Sequence, residues 1–486
     1  MIRWLLPCLC LGGLDADPPP APPAPAPILL RPAVEPRPAL RYQLLPGRDG
    51  LAPGDAAGCY YRALLLLGAD RATDDRVYDL VQLPPGEMPR DEARRILDRA
   101  ASSLREVDLG AGRELCDWGF GGRPEGVDLL LPEIQESRRL ARLVDLRARL
   151  AIAEGRLDDA WSSIRVGMTL ARHVADGPTL VQGIVGIAIA RSMTGCLEYL
   201  AAAPGAPSLF WALADRPRPL IDLRPAFEFE RQIIERELPG LLDLDRGAWS
   251  AERARRFADE VQAKLFDFNA GTTPPGFARP IPRRLAPTAR RLALAALVAQ
   301  AEPSVRRALL AAGRPAAEVA ALPAIQAAFL HVHDQLRARR DEAFRWANVP
   351  YPAAAGRMQL ALPPIDDAEA NPLLGFFTVL EGGLDPARLA AARLDRQLDA
   401  WQVVEAVRLQ ATRDGGKLPA DLAAIRDLPI PPDPVTGRPF GYRVDGDVAV
   451  ITAPTSPEPT GDPDDALTIR LAPAPASPAP SRRTAP

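Results

Sequence analysis

The chain contains three histidines, and two of them, His331 and His333, are separated by a single residue. On a β-strand this spacing would place both rings on one face, where they could chelate zinc. The surrounding residues instead predict a helix, in which positions two apart point about 200° away from each other. The third histidine, His173, is remote in sequence. We therefore expect hydrogen-bonded helix side chains here and assign no metal ligand.

Four glutamates surround two arginines in one short segment, whose members are Glu228, Glu230, Glu235, Glu237, Arg231 and Arg236. Glycosidases place two carboxylates across a cleft, which makes a paired-carboxylate hydrolase one interpretation of this segment. Neighbours on a single helix more commonly form ion pairs three or four residues apart. We therefore predict ion pairs and assign no catalytic residue.

Acidic residues also cluster near the C-terminus, at Asp433, Asp445, Asp447, Asp462, Asp464 and Asp465. Carboxylate oxygens bind calcium, but the spacing of an EF-hand is absent, and aspartate is a common turn former. Asp433 precedes Pro434, which predicts a turn held closed by a hydrogen bond to the Asp433 carboxylate. This turn should direct Phe440 and Tyr442 toward the long helix that carries Trp401. Losing the Asp433 side chain should then cost about 0.5–2 kcal/mol of stability.

Three cysteines, Cys59, Cys116 and Cys196, follow the N-terminal segment and show neither a C-x-x-C motif nor a metal-binding spacing. One disulfide with a free thiol and three buried free thiols both remain open. The sequence contains no G-x-S-x-G motif, no Walker A loop and no G-x-G-x-x-G loop. No cofactor follows from these motifs.

The composition argues against nucleic acid as a partner. The 486 residues include 59 basic and 62 acidic side chains, which give a formal net charge of −3, and only 6% are aromatic. A basic surface and stacking platforms for bases are therefore not expected. Lys264 and Lys417 are the only lysines. This preference for arginine, with abundant alanine and proline, is typical of a G+C-rich coding sequence and is no argument for phosphate binding.

Composition also divides the chain into five parts. Residues 1–16 place a positive charge, a short apolar stretch and a small residue in the order of a cleaved export signal, with an ordinary N-terminal segment as the alternative. Residues 17–38 are rich in proline and alanine and predict an extended spacer. A helical body over 39–384 and a C-terminal unit over 385–472 follow, and a low-complexity tail over 473–486 should be disordered.

Apolar periodicity predicts a mainly α fold, an irregular body of helical hairpins with a small C-terminal antiparallel sheet packed on a long helix. The apolar stretch 184–190 is too short to span a membrane, so we expect no transmembrane span in the mature chain. The Asp-Gly turn at 445–446 joins two predicted strands, and a third can follow. The predicted helices cover 55–68, 91–104, 251–268, 288–301, 304–312, 324–346 and 386–412, and the strands cover 440–444, 448–452 and 466–471.

Residues 139–173 resemble one tetratricopeptide repeat. Gly155 ends the first helix, and Ala148, Ala151 and Ala160 supply the small residues that such a repeat places between its two helices. Ile164 occupies the large apolar position of the second helix. Two positions depart from the pattern, since Val144 replaces the usual tryptophan and Arg147 the usual leucine. The resemblance implies a helical hairpin.

The C-terminal unit resembles the globular part of type II secretion pseudopilins. In both, a long helix leads through a turn-rich segment into a small antiparallel sheet. About 80 residues are covered, and the prepilin leader is absent, so no assembly function is implied. The residues that match are Gly416, Leu418, Pro419, Pro432, Asp433, Pro434, Gly437, Pro439, Phe440 and Tyr442.

As a whole, the chain resembles uncharacterised exported helical proteins of bacteria. We predict an exported protein of the periplasm, cell envelope or extracellular space, with a structural or protein-binding role and an unidentified protein partner. The alternative is a hydrolase of envelope or extracellular polymers that uses paired carboxylates. A deep cleft with two facing carboxylates of raised pKa would favour the hydrolase, whereas a concave helical surface without them would favour binding.

Overall fold

The structure is a computed structural model that describes residues 27–119, 132–268, 286–357, 371, 373–374, 384–455 and 466–471. Within these residues the fold is mainly α, with sixteen α-helices and a small sheet, as the sequence predicts. The export signal over 1–16 and the tail over 473–486 lie outside the described residues. So do Asp462, Asp464 and Asp465.

The helices are numbered along the chain. The first seven are α1 (Ala57–Leu67), α2 (Arg71–Gln82), α3 (Arg90–Arg99), α4 (Ala101–Ala111), α5 (Pro132–Ala153), α6 (Leu157–Ala175) and α7 (Leu180–Ala202). The others are α8 (Phe210–Ala214), α9 (Arg224–Arg231), α10 (Ile233–Glu237), α11 (Ala251–Phe268), α12 (Ala286–Ala311), α13 (Ala316–Ala321), α14 (Ala324–Phe344), α15 (Tyr351–Ala354) and α16 (Leu384–Arg413).

Several helix boundaries differ from the predicted ones. The single helix expected over 91–104 is two helices, α3 and α4, because the backbone of Ala100 leaves the helical region (φ −86°, ψ 4°). Conversely, the two helices expected over 288–301 and 304–312 form one continuous helix, α12, with Pro303 in its interior. Helix α2 was not anticipated, although Asp70 caps it by accepting a hydrogen bond from the Thr73 backbone N–H.

Helices α5, α6 and α7 pack together at the centre of the fold. The turn between α5 and α6 contains Gly155, whose φ of +73° favours glycine. Ala148 and Ala160 are fully buried where these two helices meet, as expected for a close helical hairpin. By length and composition α7 could cross a membrane, but 61% of its most apolar window is buried inside the fold.

A row of polar side chains runs along the long helix α16. Its members are Asp395, Asp399, Gln402, Glu405, Arg408 and Thr412, spaced three or four residues apart on one helix face. They hold irregular backbone against the helix. Arg408 donates to the carbonyl of Arg31 over 3.0 Å, and Thr412 donates to that of Ala33 over 2.8 Å. The row therefore positions segments that have few backbone hydrogen bonds of their own.

The main sheet has the strand order β1-β6-β5-β4 and comprises β1 (Ile28–Leu30), β4 (Gly441–Asp445), β5 (Val448–Thr452) and β6 (Ala466–Leu471). Strands β4, β5 and β6 pair antiparallel as expected, but β1 pairs parallel to β6, so the sheet is mixed. Strands β2 (Ala52–Asp55) and β3 (Arg113–Leu115) form a separate two-stranded sheet.

The proline- and alanine-rich segment is not a spacer throughout. Residues 28–30 complete the main sheet, and the side chains of Leu30 and Ala33 are buried. The composition of residues 17–38 hid this strand because its three apolar residues, Ile-Leu-Leu, are too few to show an alternating pattern.

Two separate hydrophobic cores divide the described residues differently from the predicted boundary at 384/385. The first core joins residues 30–227 to residues 384–469, so α16 and the main sheet pack with the N-terminal helices. The second core comprises buried residues between 234 and 374 and lies mainly within α11, α12 and α14. The described residues between 233 and 374, which hold this second core, are called the inserted lobe below.

Candidate functional site

The histidine pair occupies helix α14, and its two rings have different partners. His331 Nδ1 lies 3.1 Å from the Asn371 amide, whereas His333 Nε2 lies 3.0 Å from Glu235 Oε1. The rings therefore do not converge, in agreement with the predicted helix. Among the described residues, no group of three or more His, Cys, Asp and Glu side chains could hold a metal ion.

The four glutamates of the segment have different partners. Glu228 pairs with Arg231 three residues on, at 2.8 Å, as predicted. Glu235 instead accepts hydrogen bonds from His333 and Arg340 on α14, and Glu237 pairs with Lys264 at 3.0 Å. Burial alone would raise the pKa of Glu235, but the bonds from His333 and Arg340 lower it to about 2. Glu230 accepts a hydrogen bond from the Leu180 backbone N–H at 3.4 Å, so each of the four carboxylates has a partner of its own.

The three described cysteines are free thiols, and Cys59 and Cys196 are buried. Burial raises the pKa of the Cys196 thiol, which lies 3.2 Å from Asp145. Burial likewise lowers the pKa of His173 to about 4, so its ring is neutral near pH 7, and it lies 2.7 Å from the Tyr60 hydroxyl. Cys196 and Tyr60 belong to the first core.

The carboxylate of Asp433 is fully buried, and two side-chain nitrogens of Arg396 on α16 donate to it at 2.8 and 3.0 Å. It also accepts the predicted hydrogen bond of the turn, from the Val435 backbone N–H, and a further one from the Thr436 backbone N–H. Asp447 lies 3.7 Å from Arg470. Asp433 therefore joins the turn to the long helix through its ion pair with Arg396, which the local sequence pattern could not show.

Asp395 and Asp399 form a carboxylate pair, one turn apart on α16. Burial raises the pKa of Asp395 to about 6 against the opposing effect of Arg216. Both residues are at most 5% exposed, and Arg216 lies 2.9 Å from Asp399 and 3.7 Å from Asp395. Neither lines the larger cavities described next, so this pair is not the open carboxylate pair that a hydrolase requires.

Three cavities differ in size and character. One beneath α2, α3 and α5 has a volume of only about 100 Å³. A second of about 440 Å³ lies between residues 43–50, the end of α4 and α6, and its lining is mainly polar. The third, about 610 Å³, is mainly apolar and lies in the inserted lobe. Its size and lining are those of a binding site, and it is called the α11–α12 groove below.

The α11–α12 groove is built from small and aliphatic side chains. Each helix contributes two alanines four residues apart, and Leu294, Val298 and Ile325 form most of its remaining apolar surface. Residues four apart lie on one helix face, so each alanine pair makes a shallow row. The lining residues are Ala254, Arg255, Ala258, Asp259, Gln262, Arg291, Leu294, Ala295, Val298, Ala299, Glu302, Ala324 and Ile325.

Charged side chains stand at the rim of the groove and are balanced in sign. Arg291 on α12 forms an ion pair with Asp259 on α11 at 3.1 Å. Glu302 pairs with Arg306 one turn along the same helix, at 2.9 Å. The Arg291–Asp259 pair is solvent-exposed, so it contributes little to stability and can exchange partners at low cost, whereas Glu302 and Arg306 are half-buried.

Helix α12 is apolar on more than its buried face, which explains the groove. Leu294, Val298 and Leu309 belong to the second core, but Leu292 is 67% exposed and Leu310 is 44% exposed. Residues 292–301 contain no charge. A helix with apolar residues around most of its surface is usually covered on all sides. The alanine spacing and this uncharged run were the sequence signals for the groove.

Comparison of the chain with protein-family models, curated proteins and solved structures gave no match.

Proposed function

We propose that the protein is a binding protein whose α11–α12 groove receives an α-helix of a protein partner. The observation that carries this proposal is an apolar groove of about 610 Å³ with balanced charges at its rim. Amphipathic helices bind in such grooves through apolar residues spaced three and four apart.

The shape of the groove favours a helix over an extended peptide. Ala254 and Ala258 on one wall and Ala295 and Ala299 on the other expose little more than their Cβ atoms. Helices approach closely where facing residues are small, so a third helix can lie between α11 and α12. An extended peptide would need unpaired backbone groups along a sheet edge, and this site is bounded by helices only.

The cellular setting is part of the same proposal. The charge, the apolar stretch and the small residue within 1–16 support export to the periplasm, cell envelope or extracellular space. The resemblances to a tetratricopeptide hairpin and to pseudopilins support a structural or protein-binding role. Buried small residues at Ala148 and Ala160 and the long helix before the sheet agree with those patterns.

Blocking the groove tests the proposed function. Ala258→Trp places an indole in the groove, whereas Ala263→Trp places the same group at an exposed position of α11 that does not line the groove. Tagged mature protein and both variants are incubated with envelope extract that also contains an untagged copy, and recovered proteins are quantified by mass spectrometry. We expect a set of proteins that the wild type and Ala263→Trp retain and Ala258→Trp loses at least tenfold. Equal recovery by all three would contradict the proposal.

A further inference from the structure

Helix α12 carries an exposed apolar stripe beside the groove. Leu292, Ala295, Ala296 and Ala299 are exposed and follow one another at spacings of three, one and three residues. At 100° per residue they cover a single sector, which overlaps the face that lines the groove because Ala295 and Ala299 belong to both. The stripe has the pattern of a helix that inserts into a groove, and it belongs to the same helix that builds one.

The charges that flank the stripe are opposite in sign at its two ends. Arg291 stands at the N-terminal end and Glu302 at the C-terminal end, eleven residues apart. If two copies of α12 lie antiparallel and cross near position 297, residue 291 of one helix faces residue 303 of the other. Arg291 of each copy then lies beside Glu302 of the partner subunit, and the arrangement forms two equivalent ion pairs.

We propose that the α11–α12 groove is occupied by α12 of a second copy of this chain, in a two-fold symmetric dimer. The inference rests on the proposed function, because it names the helix that the groove receives. A two-fold interface must be self-complementary, with the same surface patch on both subunits. Helix α12 carries the stripe, one wall of the groove, and both Arg291 and Glu302. One surface patch therefore contains both halves of each proposed contact and meets this condition.

Antiparallel pairing gives every part of the stripe a counterpart. With the crossing at position 297, Ala295 faces Ala299 of the partner subunit, which allows the close approach that two alanines permit. Leu292 then faces position 302 of the partner helix, about one turn beyond the groove wall formed by Val298 and Ala299. The Arg291–Asp259 pair is exposed and can be exchanged for the new one, and the half-buried Glu302 can accept from Arg306 and from Arg291 of the partner subunit together.

Sedimentation equilibrium of the mature chain over a protein concentration range of about 1–100 μM tests the dimer. We expect a dimer for the wild type. Arg291→Glu and Glu302→Arg should each weaken dimerisation at least tenfold, because symmetry makes each substitution break two ion pairs. The double variant Arg291→Glu/Glu302→Arg should restore the dimer. It retains neither original intrachain pair, so restoration cannot come from a repaired fold. Glu318→Arg, on exposed α13, is the control and should remain dimeric.

Three outcomes would overturn this inference: a monomeric wild type over the whole range, a dimer that neither reversal weakens, or a double variant as weak as the single ones. Circular dichroism melts confirm that each variant is folded. A monomeric wild type whose Ala258→Trp variant still loses captured proteins would leave the proposed function standing. A monomer without groove-dependent capture would contradict both proposals.

Discussion

Asp433 is the residue at which the C-terminal turn and the long helix α16 meet. Its carboxylate is 0% exposed and accepts two hydrogen bonds from Arg396, a side chain that is itself only 4% exposed. Removing one member of a buried ion pair leaves the other charge without compensation, which commonly costs about 3–5 kcal/mol. The range of about 0.5–2 kcal/mol expected from the turn alone is therefore too small.

We accordingly predict that Asp433→Ala lowers the free energy of unfolding by about 3–5 kcal/mol, measured by urea denaturation at pH 7. Asp447→Ala is the matched control. Asp447 takes part in an exposed pair with Arg470 at 3.7 Å, and its loss should cost about 0–1 kcal/mol. Similar midpoints for the two variants would show that the Arg396–Asp433 contact contributes little.

Asp395 gives the stability of the protein a pH dependence of unusual sign. Burial raises its pKa to about 6, above the value near 3.9 of an unfolded aspartate. The folded state therefore binds more protons than the unfolded state between about pH 4 and 6, and this group's contribution to stability falls as the pH rises through that window. Two pKa units correspond to about 3 kcal/mol at most.

Asp395→Asn removes this titration while keeping an oxygen that can accept the Leu220 backbone N–H. We expect the free energy of unfolding of the variant, minus that of the wild type, to increase by about 1–3 kcal/mol from pH 4 to pH 6.5. Urea denaturation of both proteins at several pH values measures this difference. A difference that stays constant with pH would mean that Asp395 titrates alike in both states.

At the scale of elements, Gly186 lies where helices α6 and α7 approach closely. A Cβ atom built on Gly186 would lie 2.5 Å from the Ala171 carbonyl oxygen and 2.6 Å from the Ala175 Cβ, atoms fixed by helix α6. Gly195, on the same helix α7, has no heavy atom within 4 Å of such a Cβ atom. The two positions thus separate the packing effect of a methyl group from its effect on helix propensity.

We predict that Gly186→Ala lowers the free energy of unfolding by about 1–3 kcal/mol, because α6 and α7 must move apart. Gly195→Ala should raise it by up to about 1 kcal/mol, since alanine favours the helix and meets nothing. Thermal and urea denaturation of the two variants and the wild type measure these changes in the free energy of unfolding. Stabilisation by both substitutions would mean that the helices adjust freely.

Some elements of the fold could be predicted from the sequence and others could not. Helix α11 matches its predicted range of 251–268 because its apolar residues follow the helical period and because Ser250 precedes it and accepts a hydrogen bond from the Arg253 backbone N–H. Strand β1 was missed because three residues carry no period, and only β6, more than 400 positions later, makes it a strand. The groove needed knowledge of which apolar face of α12 the lobe leaves uncovered, which periodicity cannot provide when alanine occupies most sides of a helix.

For the molecule as a whole, the parts that hold the two cores differ in their features. The first core encloses the buried ion pairs of α16, and the inserted lobe carries the largest apolar groove of the three cavities described. The lobe is fastened to the first core by contacts such as Phe227–Phe344, with ring centroids 6.3 Å apart. We expect substitutions in the groove to alter binding while leaving the stability of the first core unchanged.

Site-specific photo-crosslinking from the groove tests the central claim most directly. The photoreactive residue p-benzoylphenylalanine replaces Ala258, or Ala263 as the control, in an equal mixture of ¹⁴N- and ¹⁵N-labelled mature protein, and crosslinked peptides are identified by mass spectrometry. The account predicts mixed-isotope crosslinks from position 258 to residues 291–303 of a second copy, and few from position 263. Crosslinks only within one chain, or equal yields from both positions, would contradict the claim that the groove holds a helix of another protein molecule.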